Sequence, residues 1–309
     1  MSHQAAAELP ANLIVFERGW LSSNNILFVG ADETALVDTG YATHAEQTLA
    51  LVESALGTRP LDRILNTHLH SDHCGGNAAL QQRYPALRTD IPPGEAALVE
   101  RWDERGLSFL ATGQICPRFQ FTGLLQPGTE CVLGDKSWQV HSAPGHDPHS
   151  IILFEPVSRT LISADALWEN GFGIAFPELA GEPSFEDVAA TLDRIEALAP
   201  LQVIPGHGRV FNDVGSVLAT ARRRLEGLQR DPVKHARHAI KVLMKFKLLE
   251  VQSIAMDDWE AWLGGASYLG VIRSRFFPDL ELHQLADDIL AELVEAGAAA
   301  VDASGICNI

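Results

Sequence analysis

Asn66-Thr67-His68-Leu69-His70-Ser71-Asp72-His73-Cys74-Gly75-Gly76-Asn77 follows directly on the strand-like stretch Leu61–Leu65. Four metal-capable side chains, His68, His70, Asp72 and His73, fall within six positions of one another. Three imidazoles and a carboxylate crowded at a strand end would compete for hydrogen-bond partners and suffer desolvation. A bound cation removes that conflict. The run therefore predicts a metal centre at the carboxyl end of a strand, where α/β proteins assemble sites in the loops that leave a sheet.

Working outward, two segments share one pattern. Ala35-Leu36-Val37 is a short apolar strand that ends at Asp38, and a helix follows with Ala45, Leu49, Val52 and Leu56 on one face. The strand Arg63–Thr67 then delivers His68. Later, Thr160–Ala164 ends at Asp165, and a helix follows with Phe185, Val188, Leu192 and Ile195 on one face. Ser184, after Pro183, is the expected N-cap of that helix. The strand Gln202-Val203-Ile204 then delivers His207. Each half reads as strand, helix, strand, with an aspartate closing the first strand and a histidine following the second. This predicts a layered α/β core of two related halves with helices outside.

Two further histidines stand in glycine-proline turns, His146 in Pro144-Gly145-His146 and His207 in Pro205-Gly206-His207-Gly208. Glycine there suits a tight turn that aims the imidazole while the backbone stays close. The candidate donors are thus His68, His70, Asp72, His73, His146, Asp165 and His207. Imidazole and carboxylate donors suit zinc, and also iron or manganese.

The His-x-His-x-Asp-His run, followed by a Gly-His, a strand-end Asp and a second Gly-His, resembles the metallo-β-lactamase superfamily over about residues 12–213. The resemblance implies an αββα sandwich with a dinuclear site at its edge. It also implies that His68, His70 and His146 hold one ion, that Asp72, His73 and His207 hold the other, and that Asp165 bridges them. Asp38 would orient a ligand imidazole. Two divalent ions, zinc being expected, would share a water and lower its pKa to about 7, giving a metal-bound hydroxide at neutral pH. Asp72 and Asp165 would take the nucleophile's proton.

Departures narrow the choice. Zinc β-lactamases typically carry cysteine where Asp165 stands, and flavo-diiron proteins carry glutamate where His70 stands. The histidine run looks most like that of lactonases and small-ester hydrolases, which place a tyrosine three residues after the bridging aspartate. Here that residue is Trp168, a candidate wall of the substrate cleft. Glyoxalase II-type thioesterases share the ligand pattern and a helical C-terminal domain, but their Cys-Gly-Arg-Phe-Phe-Glu-Gly-like stretch is absent. The expected function is hydrolysis of an ester-like bond (thioester, lactone or carboxylic ester) in a small acidic molecule. Alternatives are a phosphodiesterase or endoribonuclease, a mononuclear iron persulfide dioxygenase, and a metal-retaining ligand-binding pseudoenzyme.

The length, 309 residues with 46% hydrophobic content, suits a catalytic domain over 1–214 and a mainly helical domain over 215–309. The last helical segment, 282–296, followed by Gly297 and a terminal hairpin, is similar to a winged-helix tail. The formal charge of -17 disfavours nucleic acid and anionic membrane as partners, leaving a small-molecule substrate, with the oligomeric state open. Four cysteines without Cys-x-x-Cys spacing fit reduced thiols and a cytoplasmic address. The polar Met1–Pro10 stretch lacks the features of a signal peptide. Cys74 is expected to be a small buried hydrophobe and His149 to shape its turn. Residues 90–135, with Trp102, Phe109, Phe119 and Phe121, read as a segment that either lines the cleft or packs. A basic run spans residues 222–247, where Lys234, Arg237, Lys241 and Lys245 form a stripe at helical spacing. Lys241 and Lys245 are candidate ligands of a substrate anion, the other reading being a solvated helix face.

Overall fold

The computed structural model describes residues 9–10 and 12–309, so most of the Met1–Pro10 stretch lies outside the described residues. A six-stranded sheet holds, in spatial order, β1 (Leu13–Phe16), β2 (Asn25–Val29), β3 (Thr34–Val37), β4 (Arg63–Leu65), β5 (Arg88–Ile91) and β6 (Gly123–Leu124). A five-stranded sheet holds β7 (Glu130–Leu133), β8 (Lys136–Ser142), β9 (Ile151–Glu155), β10 (Thr160–Ala164) and β11 (Gln202–Pro205), again as neighbours in that sequence.

Alternation along each strand builds the layers. Val37, Leu65, Ile162 and Ile204 point between the sheets and join Phe28, Trp138 and Val140 in one buried core. Their neighbours Leu36 and Ile64 face outward onto Val52 and Leu56 of the helix Ala45–Leu56. On the other side, Leu161 and Val203 face Val188, Leu192 and Ile195 of the helix Phe185–Leu198. The product is the expected αββα sandwich.

The two strand-helix-strand units are parallel pairs, β3 with β4 and β10 with β11. Parallel pairing sends the carboxyl ends of all four strands to the same edge of their sheets, which is why Asp38, His68, Asp165 and His207 can meet. Ser184 does occupy the N-cap of its helix, but its hydroxyl makes no cap bond. Glu178 takes that role, its carboxylate accepting from the backbone N–H of Ser184 (2.8 Å) and Phe185 (3.2 Å). A longer side chain from the preceding short helix, Phe176–Ala180, outcompetes the short one.

The helix Val214–Arg230 buries Val217, Leu218, Ala221 and Leu225 in the same core as the helix Phe185–Leu198. A second core lies beyond it, built by the helices Pro232–Val251, Met256–Gly265, Ser267–Phe276 and Leu282–Glu295. The terminal hairpin forms, β13 (Ala299–Asp302) with β14 (Gly305–Asn308), and the short β12 (Ser253–Ile254) adds to it as a third strand. Residues 90–135 pack: Phe109 and Phe119 are buried with Leu69 and Cys74, supporting the histidine run from below. Cys74 is fully buried as expected, its thiol 3.7 Å from that of Cys116. Among the described residues no helix is long and apolar enough to cross a membrane.

Candidate metal centre

The donor side chains emerge from the carboxyl ends of the strands. His68 follows β4, Asp72 and His73 lie on the one-turn helix Ser71–Cys74, His146 sits in the turn after β8, and Asp165 and His207 follow β10 and β11. Two glycines make the approach feasible. Gly145 holds φ +139°, which L side chains rarely adopt, and a Cβ on Gly206 would lie 2.2 Å from Asp165 Oδ1 and 3.0 Å from the His73 ring.

Two clusters of donor atoms result. His70 Nδ1 lies 3.1 Å from His68 Nε2 and 2.8 Å from His146 Nε2. His207 Nε2 lies 3.0 Å from Asp72 Oδ2, which is 3.8 Å from His73 Nε2. Asp165 spans them, with Oδ2 3.3 Å from His146 Nε2 and Oδ1 3.3 Å from His73 Nε2. Nitrogen ligands about 2.0–2.1 Å from a tetrahedral zinc stand roughly 3.3 Å apart, so these separations fit donors around an ion. Each of the triads His68-His70-His146 and Asp72-His73-His207 keeps its donor atoms within 4.8 Å of one another. His73 Nε2 is moreover buried without a hydrogen-bond partner.

The far side of the rings is held by the fold. Asp38 Oδ2 accepts from His73 Nδ1 (2.8 Å), and the same carboxylate takes the backbone N–H (2.9 Å) and hydroxyl (2.8 Å) of Thr67. Asp38 thus orients the His73 ring. His146 Nδ1 donates to the Ile174 carbonyl (2.6 Å), which leaves its Nε2 as the lone-pair atom.

Electrostatics prepare the donors. Burial, reinforced by neighbouring His73 and His70, holds His68 well below the ordinary imidazole range. Burial and His70 push His146 down to about 4. For Asp165 burial works the other way, yet His73 and His207 overcome it and keep the carboxyl well below its usual range. Burial likewise opposes ionisation of Asp72, and His73 and His207 again prevail. His73 itself is held well above the imidazole range: burial disfavours its charge, but Asp165, Asp38 and Asp72 together win. Three carboxylates around one imidazole demand positive charge, which a proton or a metal supplies. The donor set fits divalent metal.

Residues 18–207 match the metallo-beta-lactamase superfamily. The chain belongs to that superfamily. A hydroxyacylglutathione hydrolase from Anaeromyxobacter dehalogenans is 30% identical over 210 residues, covering 67% of this chain and 70% of that protein. Among solved structures, a beta-lactamase domain protein from Burkholderia ambifaria superposes with a TM-score of 0.58 at 21% identity, covering 98% of this chain and 94% of that one. TTHA1623, solved in a di-iron-bound form, matches with a TM-score of 0.53 at 27% identity over 68% of this chain and 97% of that one. TTHA1623 is thus one protein of this fold that binds iron.

Trp168 lies at the centre, but not as a mere face. Its indole N–H donates to Asp165 Oδ1 (3.2 Å), and its ring meets His207 edge-on at 5.3 Å. His149 donates its backbone N–H to Asp147 Oδ1 (2.8 Å), consistent with a turn-shaping residue. Lys241 and Lys245 differ from expectation. Lys241 pairs with Glu292, which also takes Arg237, and Lys245 donates to the Ala298 carbonyl (2.5 Å), Asn308 Oδ1 (2.6 Å) and the Ile309 carbonyl (3.1 Å). These bonds tie the last helix and the terminal hairpin to the helix Pro232–Val251, and they commit both ammonium groups within the C-terminal region. Sequence reading missed Trp20, whose ring stacks on His207 at 5.5 Å and 14°. A lone tryptophan after a glycine in a strand connection carries no spacing signal.

Proposed function

We propose that the chain is a hydrolase that holds two divalent cations, zinc or iron, and cleaves an ester-like bond of a small molecule. The observation that carries this reading is the carboxylate of Asp165 spanning two donor triads, with separate oxygens 3.3 Å from His146 and from His73. His68, His70 and His146 would hold one cation, Asp72, His73 and His207 the second. When bound, such a pair supplies Lewis acidity toward the acyl oxygen and a water of lowered pKa.

The chain's own residues then divide the work. Asp38 and the Ile174 carbonyl fix the rings of His73 and His146. Asp72, with 15% of its side chain exposed against 5% for Asp165, is the more open carboxylate and takes the proton of the attacking water. The indole N–H of Trp168 is occupied by Asp165, so this position offers no free donor to an oxyanion, which favours thioesters and simple esters over lactones. The name of the Anaeromyxobacter relative, a hydroxyacylglutathione hydrolase, is in keeping with that bond class. An acidic substrate was expected because of Lys241 and Lys245, and their engagement elsewhere withdraws that support. The free thiols of all four cysteines accord with a reducing, cytoplasmic compartment.

A hydrolysis screen of metal-loaded protein over thioesters, carboxylic esters, lactones and phosphodiesters tests this reading. Turnover of thioesters or esters, abolished by chelation and restored by zinc or ferrous iron, is the expected result. Turnover confined to phosphodiesters would replace it with the phosphodiesterase alternative.

A further inference from the structure

Trp20 is 64% exposed, the one aromatic among the large exposed hydrophobics of the described residues. Its position is nevertheless built. The connection between β1 and β2 that carries it is pinned to the two metal-ligand loops: Ser23 N–H donates to the Asp72 carbonyl (2.9 Å) and Asn24 N–H to the Gly206 carbonyl (2.6 Å). The Asn24 side-chain amide donates to the carbonyls of Pro205 (3.0 Å) and Gly208 (2.8 Å). Bonds to both sides of the cage therefore anchor the chain just after this indole, which itself packs on His207 and Trp168.

There it forms a corner. The Trp20 ring is nearly parallel to His207 and meets Trp168 edge-to-face, at 5.6 Å and 66°. Trp168 spends its N–H on Asp165, so it presents the corner with ring surface and no donor. Two indoles at a steep angle let a flat ring stack on one and set its edge against the other. That geometry gives an aromatic group a quadrupole attraction which a saturated ring of equal size lacks.

We propose that Trp20 and Trp168 form a subsite for an aromatic substituent next to the scissile bond, making the substrate class aryl or aroyl esters and thioesters. The inference rests on the hydrolase reading for the bond but not for the subsite itself. Its probe is a matched pair of carboxylates, benzoate and cyclohexanecarboxylate, titrated calorimetrically into metal-loaded protein. Wild type should prefer benzoate by about fivefold, Trp20→Ala should bring the ratio near one, and Trp20→Phe should recover most of it. Equal affinities in wild type, no benzoate binding, or a preference that survives Trp20→Ala would overturn the subsite. The two readings fail separately. A benzoate preference without turnover of any ester sinks the hydrolase and leaves the subsite standing, and ester turnover without the preference does the reverse.

Discussion

Two clusters of basic side chains stood out in this chain, and the fold treats them oppositely. The histidines at the strand ends face one another and two carboxylates, and a buried nitrogen at their centre, His73 Nε2, finds no hydrogen-bond partner. The basic stripe on the helix Pro232–Val251 is answered from within. Arg237 and Lys241 share Glu292, and Lys245 reaches three acceptors near the terminus. Both clusters have regular spacing. What separates a site from a strut is whether the chain itself supplies the partners that the charges need.

The largest effect should come from the bridge. Asp165→Ala removes the carboxylate shared by both triads and should lower kcat/KM at least a hundredfold, together with metal content, measured by steady-state kinetics and elemental analysis. Retention of both metals and of activity would show that Asp165 is not shared between the two triads.

His235 sharpens it. Both of its ring nitrogens are buried and unpartnered, yet its ring lies 5.4 Å from that of Phe185, tilted by 42°, and it belongs to none of the metal-capable groups among the described residues. An orphan imidazole alone is therefore not a site. Burial, with His238 and Arg224 adding to it, pushes its pKa down to about 4. The folded state thus binds fewer protons than the unfolded chain between about pH 6.5 and 4, and stability falls as pH drops through that window. The full shift corresponds to about 3 kcal/mol. His235→Phe keeps the ring contact and should flatten this part of the acid branch in denaturant melts taken from pH 7 to pH 4.

Asp38→Asn tests the support of a donor without touching the donor set. Loss of the carboxylate against His73 Nδ1 should weaken metal binding by about 10–100-fold with the fold intact, read by competition with a chelator. The smallest effect belongs to the stripe: Lys241→Met with Lys245→Met should reduce stability by about 1–2 kcal/mol while leaving KM within about twofold. A large KM rise for an anionic substrate would instead restore the substrate-anion role first read from the sequence.

Much of this architecture was legible because it is local or periodic. The run from His68 to His73 compresses four donors into six positions, and the apolar alternation around Val37, Leu65, Ile162 and Ile204 fixed which strand ends converge. What escaped depends on contacts distant in sequence. Lys245 found its acceptors more than fifty residues downstream. Trp20 stacks on a histidine in the opposite half of the sandwich. No periodicity encodes such pairs, since they follow from the order in which strands are laid side by side.

If two cations rather than the chain complete the histidine cluster, the purified protein must be able to hold both. Elemental analysis of the purified protein, loaded with zinc or ferrous iron and freed of loosely bound ion, tests it most directly. Two metals per chain are expected in wild type. At most one tightly bound metal under replete conditions would contradict it and favour a mononuclear centre such as that of the iron dioxygenase alternative.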